Sequence, residues 1–296
     1  MTSEIDALRQ VFVGQPRPTA WPERRARMDA ICGIDPLPEG VAYRPETIGP
    51  LAAEWSLAPG SDARRVLLFL HGGGYCSGSI ASHRGLVGRV GAGAGIGTLA
   101  LGYRLAPENP FPAALEDALA AWHFLRARGF AADAIAIGGD SAGGGLTLAA
   151  LTRLRAAGEA LPACAWLASP WVDLEMTGAT MQSKDAVDPL IHDAYLRSLA
   201  DGYLAGHDPR DPLASPLRAD LSGLPPALIQ VGSAETLLDD ASRIAGRLGA
   251  AGVRVDLQIW PQMIHAWMIW AARLEAGRQA IAQAAAFLRA HLAPQP

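Results

Sequence analysis

Residues 139–143 read Gly-Asp-Ser-Ala-Gly, a single serine between small residues. A short apolar run, 134–137, stands just before it, and a helix-forming stretch, 141–157, follows. The G-x-S-x-G spacing in a strand–turn–helix context is the setting of an exposed nucleophilic hydroxyl. The turn is sharp enough to strain the serine backbone, and bulky flanks would block both the crossing chains and an approaching carbonyl. Ser141 is the candidate nucleophile. The amide of Ala142 then lies at a helix N-terminus, where backbone N–H groups lack intrahelical partners. The alternative is a plain structural turn capped by a serine.

A second stretch carries complementary chemistry. His71-Gly72-Gly73-Gly74 follows the apolar run Val66–Leu70. Three successive glycines carry a high conformational cost, so they signal close backbone approach. The amides of Gly73 and Gly74, with that of Ala142, are the candidate oxyanion donors. Such donors typically contribute about 10²–10³ in rate.

A serine nucleophile needs a base. Of the seven histidines, His71 belongs to the glycine loop, His123 and His291 fall in helical patterns, and His192 and His207 lie in an irregular region. His265, in "IWPQMIHAW", follows the strand pattern 253–259 and precedes the last helical pattern. That loop opens on the sheet edge that carries Ser141, so His265 is the candidate base. The order Ser–acid–His places the acid between them, and "LIQVGSAETLLDD" offers Glu235, Asp239 and Asp240. Thr236 and Asp239 read as a capping box and the two aspartates suit a first helical turn. Glu235 has no such competing duty and is preferred, with Asp239 the alternative. Asp140 and Asp173 read as structural groups that hold loops near the site.

These residues need a frame that brings three distant loops to one edge. Strand patterns at 66–70, 96–101, 134–137, 163–168, 227–231 and 253–259 alternate with helical patterns at 82–93, 112–128, 141–157, 236–250 and 275–291. Such alternation predicts a mostly parallel α/β sheet with helices on both faces. Segments within 40–57 read as antiparallel edge strands. The glycine-rich stretch 91–97 precedes a strand and reads as a loose helix-to-strand turn, not a dinucleotide loop. Residues 1–38 and the long insertion 175–215 break the rhythm and are predicted to form a helical cap. The core is thus divided into 39–174 and 216–296. Trp21, Tyr195 and Tyr203 are the aromatic candidates to line a substrate pocket.

The composition narrows the function. The chain has 296 residues, half of them hydrophobic, and a net charge of −4. Lys184 is the only lysine, and no basic run or arginine stripe offers a nucleic-acid footprint. Cys32, Cys76 and Cys164 are odd in number, widely spaced and without a C-x-x-C pair, which argues against a disulfide framework or a zinc knuckle. Glu4 and Asp6 stand where a signal peptide would be basic, and no apolar run reaches a membrane span, so the reading is a cytoplasmic protein.

Taken together, "HGGG" (71–74), "YRLAPENPFPAALEDA" (103–118), "GDSAGG" (139–144), "SPWVDL" (169–174) and "LPPALIQVGSAETLLDD" (224–240) resemble the blocks of the hormone-sensitive-lipase-like esterases, in family order over roughly 60–290. The resemblance implies an α/β-hydrolase fold with a helical cap. It also implies nucleophile Ser141, base His265 and an oxyanion hole at Gly73, Gly74 and Ala142. The family commonly has aspartate at the acid position, as D-x-L-x-D; here the block reads Glu235-Thr236-Leu237-Leu238-Asp239. The implied activity is hydrolysis of short- to medium-chain acyl esters without metal or organic cofactor. A lactone would use the same machinery, and a catalytically silent receptor on this fold is the alternative of another class. The partner expected is a small ester or lactone, with no nucleic acid or membrane. The resemblance is also compatible with a homodimer through the sheet edge.

Overall fold

The computed structural model describes residues 3–13 and 18–292. Two N-terminal helices, α1 (Glu4–Phe12) and α2 (Trp21–Cys32), lead into an antiparallel pair, β1 (Ala42–Ile48) and β2 (Leu51–Leu57). Alternation then follows: β3 (Asp62–Leu70), α3 (Ile80–Ala94), β4 (Ile96–Gly102), α4 (Ala113–Ala127), β5 (Ile135–Asp140), α5 (Ala142–Ala156) and β6 (Cys164–Ala168). Next come the short α6 (Thr180–Ser183) and α7 (Asp193–Leu204), both inside the long insertion. The chain closes with β7 (Ala227–Gly232), α8 (Leu238–Ala250), β8 (Val255–Trp260) and α9 (Glu275–His291).

The eight described strands form one sheet in the order β1-β2-β4-β3-β5-β6-β7-β8. From β4 to β8 every pairing is parallel, and β2 pairs antiparallel with β4. The register of β3 on β5 sets Leu68 opposite Ile137 and Leu70 opposite Gly139. Strands buried on both faces read as unbroken apolar runs, and the side chains of β5, β6 and β7 are buried throughout. At the edge, no residue of β8 is fully buried, and Leu257 and Ile259 are exposed.

Each face of the sheet has its own apolar layer. One joins Leu68, Ile137 and Leu167 to α4, α5 and α8, and extends into the insertion through Leu196, Leu199 and Tyr203. The other joins Leu67, Phe69 and Trp166 to α3 and α9, and takes in Ile5, Leu8 and Phe12 of α1 with Ile31 and Cys32 of α2. The N-terminal segment therefore contributes to the core as well as lying over the site. Phe12 packs on Trp270 at 5.1 Å between ring centroids, and the Trp270 indole donates to the Ile31 carbonyl at 3.0 Å.

Two local expectations are corrected. Residues 91–94 continue α3 rather than forming a loose turn, and Gly95 ends the helix in the left-handed region. The glycines let α3 lie close to β4: a β-carbon on Gly91 would stand 2.7 Å from Thr98 Cγ2. No capping box forms at Thr236, because α8 starts at Leu238. The Thr236 amide and hydroxyl are drawn instead to Asp188, and Asp239 accepts from the Thr180 amide. All three cysteines are free and buried. No helix among the described residues is long and apolar enough to cross a membrane.

Leu68 lies at the centre of the sheet with no solvent exposure. Leu68→Ala is expected to cost roughly 2–5 kcal/mol of stability, as other large-to-small core changes do. A fall in the denaturant midpoint at unchanged m-value checks this.

Candidate active site

The site is built where β5 ends. Ser141 follows Asp140, the last strand residue, and stands immediately before α5 with φ 53° and ψ −121°. A non-glycine residue there is strained and persists only where its surroundings over-determine it. The constraint is visible on both sides. A β-carbon on Gly139 would lie 2.2 Å from the Leu70 carbonyl oxygen, and one on Gly143 only 1.9 Å from the same atom. The Ser141 amide donates to the Ala168 carbonyl at 2.8 Å, and the Ser141 carbonyl accepts from the Trp171 amide at 2.9 Å. The elbow is thus pinned to β3 by sterics and to the end of β6 by hydrogen bonds.

The glycine loop is fixed from below. Asp140 accepts from the Gly72 amide at 2.9 Å and from His83 at 3.1 Å, both carboxylate and imidazole being buried. Burial opposes both charges, but their mutual attraction and hydrogen bond prevail. His83 is raised above the usual histidine range and Asp140 is held below the usual carboxylate range. His71 Nδ1 lies 2.8 Å from the Gly72 carbonyl, its ring stacks on Tyr103 at 4.2 Å, and Tyr103 donates to the His71 carbonyl. Burial, aided by the charge of His83, pushes the His71 imidazole down to about 4, so it is neutral. Gly73 takes φ 114°, and a β-carbon there would meet the Ser77 carbonyl at 2.2 Å. The amides of Gly73, Gly74 and Ala142 donate to no protein acceptor among the described residues. Gly73 and Gly74 line the same cavity as Ser141.

His265 lines that cavity too. Its Nδ1 lies 3.1 Å from Glu235 Oε1, and Glu235 is wholly buried. The other carboxylate oxygen accepts from the Ser169 hydroxyl and the Gly232 amide, each at 2.8 Å. Burial disfavours the imidazolium, yet the hydrogen bond and charge of Glu235, aided by Asp188 and Asp140, outweigh it and hold His265 above its ordinary value. Of the two acid candidates, the structure brings Glu235 to His265 and turns Asp239 to the start of α6.

Besides His83, two groups near the site escaped sequence reasoning. Ser169, itself at φ 46°, donates to Glu235 and accepts from the Ala266 amide at 3.1 Å, so one hydroxyl ties the acid to the histidine loop. Asp188, in the insertion, accepts from the Leu190 and Ile191 amides with one oxygen and from the Thr236 amide, next to Glu235, with the other. Burial raises Asp188 above the usual carboxylate range. Ser169 lay inside the quoted "SPWVDL" block, which was a usable signal; nothing local marks Asp188.

The cavity has a volume of about 80 Å³. Beyond Ser141 and His265 its wall is mostly apolar, with Leu190, Ile191 and Leu199 from the insertion and Met28, Ile31 and Trp270 opposite. Tyr195 is part of this lining; Trp21 and Tyr203 are not, which corrects the expectation for those two. Tyr203 is buried against Tyr75, with ring centroids 3.7 Å apart, because α7 packs that face into the core. Trp21 packs beside Gly202 and under the Arg24 guanidinium.

The sequence profile of a family described as alpha/beta hydrolase fold matches residues 67–269. The chain belongs to the hormone-sensitive-lipase-like esterases of that fold. It is 49% identical over 243 residues to an acetyl-hydrolase of Streptomyces hygroscopicus, covering 82% of this chain and 81% of that protein. To an esterase of Acinetobacter venetianus it is 33% identical over 264 residues, 89% and 87% of the two chains. A crystal structure of an esterase from the bacterial hormone-sensitive lipase family superposes with a TM-score of 0.95 at 44% identity, covering 98% of each chain. The activity of this family is carboxylic ester hydrolysis.

Ser169→Ala removes one donor from buried Glu235 and leaves the Ala266 amide without its acceptor. Each such loss costs about 1–3 kcal/mol, so kcat for a chromogenic acetate ester is expected to fall about tenfold or more. An unchanged kcat in a folded variant would deny Ser169 this positioning role.

Proposed function

We propose that this protein is a serine carboxylesterase that cleaves short-acyl esters through an acyl-enzyme on Ser141. The observation that carries the reading is the placing of Ser141, strained at its elbow, in one cavity with His265, while Glu235 holds the far nitrogen of that histidine.

In this reading His265 Nε2 takes the proton from Ser141 Oγ as the oxygen attacks the ester carbonyl. Glu235 fixes the tautomer that leaves Nε2 free and stabilises the imidazolium that forms. The amides of Gly73, Gly74 and Ala142 receive the developing oxyanion. They are held in place before the reaction, which is what makes such donors effective. His265 then protonates the departing alkoxide, and water, deprotonated by the same imidazole, releases the acid and restores Ser141. α2, with the segment 175–215 that carries α7, acts as the cap that limits the acyl space.

Size favours short acyl groups. A volume of 80 Å³ is well below the cavity of about 150 Å³ that takes a benzene ring in an engineered core. The name of the acetyl-hydrolase relative points the same way. A fluorophosphonate is expected to label Ser141 and to abolish hydrolysis of acetate and butyrate esters. Ser141→Ala should lose both labelling and turnover, and turnover that survived at the wild-type level would refute the serine mechanism.

The pH profile follows from the environment of His265. Only the neutral imidazole can accept the proton. Because Glu235 raises the folded-state value above 6.5, the charged form persists to higher pH than in an ordinary histidine. kcat/KM should therefore rise with pH through a midpoint above 6.5. Glu235→Gln removes the stabilising charge and should move that midpoint down while lowering kcat. A midpoint that stayed in place would mean that the carboxylate does not set the basicity of His265.

A further inference from the structure

The cavity has a charged end that ester cleavage does not use. α2 turns Arg24, Arg27, Met28 and Ile31 towards the cavity, the i, i+3, i+4, i+7 face of one helix. Arg24 is engaged: its Nε donates to the Pro18 carbonyl, one terminal nitrogen donates to Ser198, and the guanidinium lies over Trp21 and Tyr195. Arg27 is different. Its Nε is buried and has no hydrogen-bond partner, and no ion pair joins it to a carboxylate among the described residues. Most arginines of this chain are tied to an acid, as Arg25 is to Glu108 and Arg84 to Glu54. A buried guanidinium nitrogen without an acceptor is costly, and such an orphan asks for an absent partner.

Among the described residues, no carboxylate near the cavity is free to pair with Arg27. Asp140, the one acidic residue in the lining, is committed to His83 and the Gly72 amide. Glu235 is committed to His265, Ser169 and Gly232. Asp29, two residues on, accepts from Ser79. The rest of the wall is apolar or neutral apart from His265, so an anion entering here meets two cations and no uncompensated negative group.

We infer that Arg27, with Arg24 beside it, forms an anion subsite, and that the preferred substrates are esters bearing a carboxylate or comparable anionic group. The inference rests on the serine-esterase reading above and adds the substrate class. The planar guanidinium suits a carboxylate, which can accept two parallel N–H donors. The anion can sit on either side of the scissile bond, and the two cases separate by substrate.

The test compares each anionic ester with a neutral ester of the same length, by titration of released acid. Monoethyl succinate against ethyl butanoate places the charge on the acyl side; acetoxyacetate against ethyl acetate places it on the alcohol side. The wild-type enzyme is expected to prefer the anionic member of at least one pair in kcat/KM, the gain lying mostly in KM and shrinking as salt is raised. Arg27→Met should lower that preference by about tenfold or more, as loss of a charge-assisted hydrogen bond does. Arg27→Lys should keep part of it and guards against a methionine variant that fails to fold. Wild-type preference for the neutral ester in both pairs, or a ratio unmoved by Arg27→Met, overturns the inference; if Ser141→Ala is silent at the same time, the serine mechanism stands. Should the wild type cleave no ester at all, that mechanism falls instead. Calorimetric binding of monoethyl succinate to Ser141→Ala then decides the anion subsite alone: binding weakened by added Arg27→Met supports it, and binding indifferent to that change overturns it.

Discussion

One carbonyl oxygen, that of Leu70 at the end of β3, lies where the β-carbons of Gly139 and Gly143 would stand. The approach of β3, β5 and α5 at this point leaves no room for any side chain. Everything at the site depends on it. The crossing forces Ser141 into its strained conformation and starts α5 immediately afterwards, so that the Ala142 amide has no earlier carbonyl to bond. The same β3 terminus releases the glycine loop, so Ser141 and the amides of Gly73 and Gly74 are positioned by one contact. Strain of this kind survives only because a buried sheet surrounds it.

The sheet order then explains why residues so distant in sequence share a cavity. β5, β6 and β7 are neighbours and parallel, so the loops after them emerge on one edge. Ser141 comes from the first, Ser169 from the second and Glu235 from the third, while His265 arrives from the loop after β8. Ser169 stitches the last three together through one hydroxyl. Asp188 extends the stitching outward, fastening the insertion to the amide beside Glu235. Glu235, the His265 loop and the insertion are thereby one hydrogen-bonded assembly.

Much of this was legible in the residues. The unbroken apolar runs announced a parallel sheet because strands covered on both faces have no polar side to show. Ser141 and the glycine loop were legible because close backbone approach excludes nearly every residue but glycine. His265 stood out by elimination. Glu235 was separable from Asp239 only because it had no competing local duty, though the capping box assigned to Asp239 does not form. What could not be read was partnership made by tertiary closure. His83 gives no local sign that it will pair with Asp140, nor Asp188 that it will reach Thr236. The aromatic residues misled for a related reason. A tyrosine serves core and pocket equally well, and the offset of about 80° around α7 between Tyr195 and Tyr203, eight residues apart, decides which side each meets. Domain boundaries were similarly blurred, since residues 1–38 read as cover yet supply Ile5, Leu8 and Phe12 to the layer beneath the sheet.

The anchoring of α2 by the Trp270 indole has a mechanical meaning. Ile31 and Cys32 face the cavity and belong to the interior layer at once. This helix cannot swing like a hinged door, because lifting it would tear the hydrophobic interior it helps to fill. A redesign that changes Ile31 or Cys32 therefore reshapes the cavity wall and the interior packing in one step.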